Sequence, residues 1–307
     1  MWDSLPFAWI GLGMLGHILY KQTSFFIVGE ERGRGIKELG GLKHLKGELS
    51  IYDLEHVRDG EEAKEAKLAE KTNIRRLKLI WSEDEDRSRP INNNDKDVLE
   101  GLKPHSALED FEICNFSGDA FPPWMMCGDL FSSLKRLTVE NAENLIEWRT
   151  EEAAVFPTTE RRVVFSRLEE LLLTNCDQLR SAPTDHFPCL QKLEIDSMNS
   201  GMPIANIIST QLTTLTHLTI KKIRGLVSLP EGMLKNIKNL AYLEIRDCPK
   251  LTCIATDVFG CCAFLELLCI SSCPNLRSLP HGLEHCTSLK KLTIEDCESL
   301  ECIPVTN

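Results

Sequence analysis

The chain has 307 residues, of which 42% are hydrophobic, 26% charged and 7% aromatic, and its formal net charge is −11. A chain of this length and apolar content can bury a large core, which excludes a globally disordered protein and a disulfide-stapled miniprotein. The acidic balance argues against a protein whose main task is to wrap a nucleic-acid backbone.

The cysteines indicate a reducing compartment. There are 13 of them, an odd number, and no two stand in a C-x-x-C spacing. Zinc ribbons and thioredoxin-like redox motifs use that spacing, so the cysteines are interpreted as small apolar residues. We therefore expect a cytoplasmic protein.

The first predicted element is an apolar leader, Leu5–Tyr20. Its sixteen residues fall short of the roughly 20 that span a bilayer. Asp3 is the only charge before it, so the basic region of a secretion signal is missing. The leader therefore favours a buried cap or a poorly ordered end over a membrane anchor.

Four loosely spaced apolar frames follow, together with one helix and two insertions. The stretch Gly60–Thr72 predicts a helix that packs on the convex side, with opposite charges at i,i+3. Polar insertions near 82–97 and 147–164 are predicted to be loops. The apolar frames are Leu45, Leu49, Ile51; Ile74, Leu77, Leu79; Leu108, Phe111, Ile113, Phe116; and Leu134, Leu137, Val139, Ala142.

From Leu168 the frame L-x-x-L-x-[IL]-x-x-[C/apolar] repeats six times, at intervals of 22, 25, 25, 25 and 24 residues. This is the leucine-rich-repeat signature, and the 44 leucines of the chain are explained by it. Residues two apart point to one face of a strand, and stacked units share one core. We therefore predict an α/β leucine-rich-repeat solenoid, a horseshoe of about ten repeats with a parallel sheet on its concave face and short irregular convex segments. The ninth position, usually asparagine, is predicted to be a buried cysteine at Cys176, Cys248, Cys273 and Cys297.

An ordered set of landmarks covers residues 24–307. It includes Phe25–Gly29 (FFIVG), Gly35–Leu39 (GIKEL), Leu42–Ile51 (LKHLKGELSI), Leu77–Trp81 (LKLIW) and Gly118–Trp124 (GDAFPPW). The chain resembles the repeat region of plant coiled-coil NB-ARC leucine-rich-repeat (NLR) disease-resistance proteins. Residues 1–23 do not match. The resemblance implies a non-enzymatic recognition module of plant defence and innate immunity.

The resemblance also implies the partners. They are a pathogen effector, a guarded host protein, or an NB-ARC domain supplied in trans and held inactive; neither nucleic acid nor a membrane is expected. The sequence has no G-x-x-x-x-G-K-[ST] loop, so no cofactor is expected here, and ADP or ATP is expected only in full-length relatives. Because the similarity begins inside the repeats, we expect a fragment, a truncated product or a partial gene model.

Two motifs could indicate other chemistry. Gly11-x-Gly13-x-x-Gly16 matches a dinucleotide fingerprint as a string, but no βαβ alternation follows it. Cys269, Cys273, His281 and His285 resemble a zinc set, but their central gap is shorter than the roughly 12 residues of a zinc finger. The repeat frame also puts the two cysteines on opposite strand faces. We therefore predict no catalytic, cofactor or metal site.

The predicted functional region is the concave face of the sheet. Its charges have both signs, which suits a protein partner better than a polyanion or a lipid. The candidate contact residues are Arg136, Glu140, Glu170, Lys192, Glu194, Asp196, His217, Lys221, Tyr242, Glu244, Arg246, Lys291 and Glu295.

Three other classes of protein remain as alternatives. An F-box-type substrate adaptor of a ubiquitin ligase also favours cysteine at the ninth position, but it predicts an N-terminal adaptor-binding helix. An extracellular receptor-like repeat protein predicts G-x-I-P in each unit and paired-cysteine caps. An enzyme predicts turnover, which an ATPase assay would detect.

Overall fold

The structure is a computed structural model that describes residues 17–20, 23–82, 93–126, 130–146, 148, 164–180, 187–201, 212–229, 237–254, 262–279 and 283–301. Twelve strands form one sheet in which the strand order follows the chain order. The strands are β1 His17–Tyr20, β2 Thr23–Ile27, β3 Gly47–Tyr52, β4 Ile74–Ile80, β5 Asp110–Cys114, β6 Arg136–Glu140, β7 Glu170–Thr174, β8 Lys192–Asp196, β9 His217–Lys221, β10 Tyr242–Arg246, β11 Leu267–Ser271 and β12 Lys291–Glu295.

Strands β2 to β12 are parallel, and β1 pairs antiparallel with β2. The ten strands β3–β12 coincide with the ten repeats expected from the sequence, which confirms the leucine-rich-repeat solenoid. The sequence did not predict β1 and β2 as strands. For the residues of β1 it predicted part of a buried cap or a poorly ordered end, and for those of β2 it recognised only a family landmark.

The core forms because each frame repeats in register. Leu243 of β10 aligns with Leu218 of β9 and Leu268 of β11, and all three side chains are fully buried. One such column per inward position gives a continuous apolar core along the solenoid. The fold therefore rests on contacts between neighbouring repeats.

A left-handed residue ends most strands. The residue after β5 to β12 always has positive φ, and the set is Asn115, Asn141, Asn175, Ser197, Lys222, Asp247, Ser272 and Asp296. From Asn115 to Ser272, the N–H of each residue donates to the carbonyl of the last strand residue in the next repeat, at 2.9–3.0 Å. The turn out of the sheet is therefore built from main-chain bonds between repeats.

The helices among the described residues are α1 Glu38–Gly41, α2 Gly60–Lys64 and α3 Asn93–Gly101. Single 3₁₀ turns occur at Leu54–His56, Leu68–Glu70, Pro123–Met126 and Leu283–His285. Helices α2 and α3 can pack closely because Gly101 has no side chain. A Cβ at Gly101 would lie 2.3 Å from the Gly60 carbonyl oxygen.

Two local predictions were wrong in extent. The helix predicted over Gly60–Thr72 stops at Lys64, because Lys67 takes a left-handed conformation (φ 51°) before the 3₁₀ turn. The insertion predicted as a loop to residue 97 is helical from Asn93 onward in α3. Residues 83–92, 147 and 149–163 lie outside the described residues, so the rest of both insertions stays a prediction.

Aromatic side chains fill the core of the middle repeats. Phe131, Phe165 and Phe187 stack in series with ring centroids 5.5 Å apart. Trp148 meets Phe165 edge-on at 6.2 Å. At the positions of the three phenylalanines, the later repeats carry the buried residues Leu212, Ile237, Cys262 and Cys286.

Among the described residues, no helix has the length and apolar content needed to cross a bilayer. The leader prediction lies mostly outside the described residues, apart from the backbone of β1. That part of the leader is a strand, and the N-terminal helix of the F-box alternative would fall mainly on residues outside the described ones.

Candidate protein-binding surface

The concave face carries the side chains that alternate with the core positions of each strand. All thirteen predicted contact residues lie on it, in strands β6 to β12. They form rows across the sheet because the strands are in register: Arg136, Glu170, Lys192, His217, Tyr242 and Lys291 belong to the first row.

The first row begins as a chain of ion pairs. Arg136 binds Glu170 through two guanidinium nitrogens at 2.9 and 3.1 Å and contacts Asp110 at 2.8 Å. The hydrogen bonds to Glu170 and Asp110 raise the pKa of Arg136, and the bond from Arg136 lowers the pKa of Glu170. Arg76 continues the row on β4, 3.0 Å from Glu48. These charges are already engaged with one another.

The second half of the face is organised around Glu244. Its side chain is only 8% exposed. It accepts a hydrogen bond from the Tyr242 hydroxyl at 2.7 Å and lies 3.0 Å from Arg246 and 3.8 Å from Lys221. Burial and this hydrogen bond raise the pKa of Tyr242 from 10.0 to about 12. Glu244 is thus largely covered by the side chains it contacts, and its role as a contact residue stays a prediction.

An aromatic and aliphatic stretch of the first row lies further along the sheet. The rings of His217 and Tyr242 stack at 5.6 Å with an interplanar angle of 24°. Leu267 of β11 lies beside Tyr242 in the register, and its side chain is half-buried. This stretch (His217, Tyr242 and Leu267) is called the aromatic patch below.

The predicted set missed the N-terminal part of the face. Glu48, Arg76, Lys78, Asp110 and Glu112 occupy the same rows on β3 to β5. Their signal was present in the sequence, because each is next to a core position of the loosely spaced frames. The looser spacing of those repeats hid it.

Three described residues bring metal-ligating atoms together. The ligand atoms of Glu112, Cys114 and Glu140 lie within 4.8 Å of one another. The Cys114 thiol lies 3.3 Å from a Glu112 oxygen, and Lys78 forms an ion pair with the same carboxylate. Burial and the two carboxylates raise the pKa of Cys114, so the thiol stays protonated. The ammonium and the thiol hydrogen therefore already satisfy Glu112.

Three of the four ninth-position cysteines are buried as predicted, and Cys297 is only partly buried. Cys176, Cys248 and Cys273 are buried, and each thiol donates to the carbonyl two residues earlier at 3.4–3.5 Å. Cys297 makes the same bond on the last described strand and is half-buried. Of the four residues that resemble a zinc set, Cys269 lies on the concave face and Cys273 is buried on the opposite side of the sheet. His281 lies outside the described residues.

Asparagine side chains form a second feature of the turns after the strands, which the sequence did not predict. They stand at the left-handed position just before the ninth, where the Asn141 amide donates to Asn115 at 2.9 Å and the Asn175 amide donates to Asn141 at 3.0 Å. Asn115 in turn donates to the Trp81 carbonyl at 2.7 Å. This asparagine ladder joins four repeats.

Comparisons with known proteins agree with the fold. A family model described as R13L1/DRL21 leucine-rich repeats matches residues 36–153. Disease resistance protein RGA2 of Solanum bulbocastanum is 31% identical over 269 residues, which cover 78% of this chain and 26% of RGA2. A disease resistance RPP13-like protein of Arabidopsis thaliana is 28% identical over 325 residues, covering 93% of this chain and 30% of the relative.

Among solved structures, the leucine-rich repeat domain of the type III effector XopL aligns with a TM-score of 0.47 at 24% identity. The alignment covers 66% of this chain and 64% of that domain. The chain thus spans less than a third of the two plant relatives named above.

Proposed function

Because its repeats are those of the leucine-rich-repeat region of plant disease resistance proteins, we propose that the chain acts as a recognition module in plant innate immunity. Its concave face binds a pathogen effector, a guarded host protein or an NB-ARC domain. Through the last of these contacts the chain regulates an NB-ARC switch in the cytoplasm. Nucleotide binding belongs to the NB-ARC domain.

The observation that supports this proposal is the division of the concave face into a self-paired half and an aromatic patch. From Glu48 to Glu170 the first-row charges are paired across the strands. At His217 and Tyr242 the row becomes aromatic and then aliphatic at Leu267. Tyrosine is enriched among the side chains that carry most of the energy of protein interfaces.

The geometry suits a protein ligand for a second reason. Glu244 fixes the Tyr242 hydroxyl and the Arg246 guanidinium, so these groups lose little side-chain entropy on binding. Charges of both signs border the patch, namely Glu194, Lys221 and Arg246. Such a border selects a partner of matching charge pattern and disfavours a polyanion.

The regulatory part of the proposal can be tested with RGA2 as the probe. The RGA2 polypeptide without its matching repeats would be co-expressed with the full chain, and their association measured by co-precipitation and titration. We expect binding that Tyr242→Ala weakens by at least about tenfold, as for a central interface tyrosine.

Arg136→Ala should weaken it less, because Arg136 is already held by Glu170 and Asp110. Lys250→Glu is a matched control, since Lys250 is exposed in the turn after β10. Absence of binding, or equal loss with Tyr242→Ala and Lys250→Glu, would contradict the proposal for this probe and surface.

A further inference from the structure

Two neighbouring repeats bring a thiol and two carboxylates together on the concave face. Cys114 of β5 is the register partner of Glu140 of β6, and Glu112 lies on the same side of β5 as Cys114. The Cys114 sulfur lies 3.3 Å from Glu112 Oε1 and 3.9 Å from Glu140 Oε2, and the three ligand atoms fall within 4.8 Å of one another. Cys114 is only 5% exposed, whereas both glutamates are half-buried. All three residues belong to strands, so the sheet fixes their relative positions.

The spacing of these atoms is that of a tetrahedral zinc site. Zinc binds a thiolate sulfur at about 2.3 Å and a carboxylate oxygen at about 2.0–2.2 Å. At the tetrahedral angle of about 109°, these bond lengths separate the sulfur from each oxygen by about 3.6 Å. The two distances from the Cys114 sulfur, 3.3 and 3.9 Å, lie on either side of that value. Small rotations of the two glutamate side chains therefore bring all three atoms to bonding distance from one ion.

The charge balance also favours a bound cation. Lys78 forms an ion pair with Glu112, and it is the only cation among the register partners of the three residues. Within the described part of the chain, Glu140 forms no ion pair, and its carboxylate has only the 3.9 Å contact with the Cys114 thiol. Once the thiol loses its proton, the three ligands and Lys78 together carry two negative charges. One divalent ion neutralises them.

The donor set selects the class of metal. Ca²⁺ takes roughly six to eight oxygen ligands, and Mg²⁺ takes a near-octahedral set of oxygens with several waters. A thiolate beside two carboxylates suits Zn²⁺ instead. Three protein ligands leave a fourth zinc position for water.

We propose that Glu112, Cys114 and Glu140 form a Zn²⁺ site with water as the fourth ligand. Binding forms a Zn–S bond and releases the thiol proton to solvent, while each glutamate contributes one carboxylate oxygen. The ion joins β5 to β6. The sequence predicted no metal site because Glu140 follows Cys114 by 26 residues, and only the register of the strands brings the two together.

Cobalt(II) is the probe for this site. A bond between Co²⁺ and a thiolate gives a charge-transfer band in the near ultraviolet, and tetrahedral Co²⁺ gives intense visible bands. The reduced full chain would be titrated with Co²⁺ and then with Zn²⁺. We expect a tetrahedral cobalt–thiolate spectrum that Zn²⁺ displaces and excess Mg²⁺ does not. Calorimetry in buffers of different ionisation enthalpy should show about one proton released per Zn²⁺ at neutral pH.

Substitutions locate the ligands. Loss of an outer hydrogen-bond partner of a ligand already costs about 10–100-fold in metal affinity. Cys114→Ser should therefore abolish the charge-transfer band and weaken Zn²⁺ binding at least about a hundredfold. Glu140→Gln, an isosteric change in a half-buried side chain, should weaken binding at least about tenfold with an unchanged circular dichroism spectrum.

Matched controls remove the same groups elsewhere on the concave face. Cys269→Ser on β11 and Glu194→Gln on β8 should leave the cobalt titration unchanged. The proposal would be overturned by a wild type without a cobalt–thiolate band, by a band that survives Cys114→Ser, by wild-type affinity in Glu140→Gln, or by displacement with Mg²⁺.

Discussion

Replacing Asn141 tests the asparagine ladder directly. Asn141 has φ 55°, donates to Asn115 and accepts from Asn175. Asn141→Ala removes two hydrogen bonds worth about 1 kcal/mol each. It also places alanine in the left-handed region, at a cost of about 1 kcal/mol. We expect a loss of about 3 kcal/mol in the free energy of unfolding.

Asn141→Gly separates the two contributions. Glycine accepts positive φ without steric cost, so only the hydrogen bonds are lost and the decrease should be about 2 kcal/mol. Lys222→Gly is the control, because Lys222 has φ 51° but its side chain is 60% exposed and lies no nearer than 3.9 Å to the Asp196 carboxylate. It should be neutral or stabilising by up to about 1 kcal/mol.

Urea titrations followed by circular dichroism measure all three variants. If Asn141→Ala and Asn141→Gly were both neutral, the ladder would not stabilise the fold. If Lys222→Gly were as damaging as Asn141→Gly, the loss would come from backbone freedom and the hydrogen-bond argument would be refuted.

Three further outcomes follow from the sheet. Arg136→Ala should lower the free energy of unfolding by less than about 1 kcal/mol in a urea titration despite its three hydrogen bonds, because the side chain is 45% exposed and solvent screens it; a loss of several kcal/mol would contradict this. Because the pKa of Tyr242 is raised, the hydrogen bond from its hydroxyl to Glu244 contributes fully to stability below pH 10.0, and the contribution is lost as the pH rises towards 12. In an ultraviolet titration of the three tyrosines, Tyr242→Phe should remove the last ionisation step. An unchanged titration would argue against the bond to Glu244. Leu243→Ala should cost about 2–5 kcal/mol by thermal unfolding, and Leu292→Ala, at the equivalent position of β12 where the side chain is 41% exposed, under about 1 kcal/mol; equal losses would contradict the argument from burial.

The repeats could be predicted because a strand buried on one face needs apolar residues two apart. Leu171 and Leu173, or Leu243 and Ile245, show this spacing in the sequence and are buried in the structure. The same spacing placed the concave residues. Each repeat of the solenoid can therefore be predicted from its own local sequence.

The contacts between concave residues depend on register between repeats, which no single repeat contains. Arg136 bonds to residues 26 positions earlier and 34 positions later. The length of each loop sets that alignment, and loops vary from repeat to repeat. The helix break at Lys67 was missed for a related reason: lysine favours helices, so nothing in its identity signals a left-handed conformation.

The unequal filling of the core provides two separate spectroscopic reporters. The described tryptophans, Trp81, Trp124 and Trp148, are buried between β4 and β7. The buried cysteines from Cys176 onward lie in the later repeats. Indole fluorescence should therefore follow the melting of the first half, and the rate of thiol alkylation the opening of the second. A chain in which both signals change together unfolds as one cooperative unit, whereas separated transitions would locate a boundary between independently melting groups of repeats.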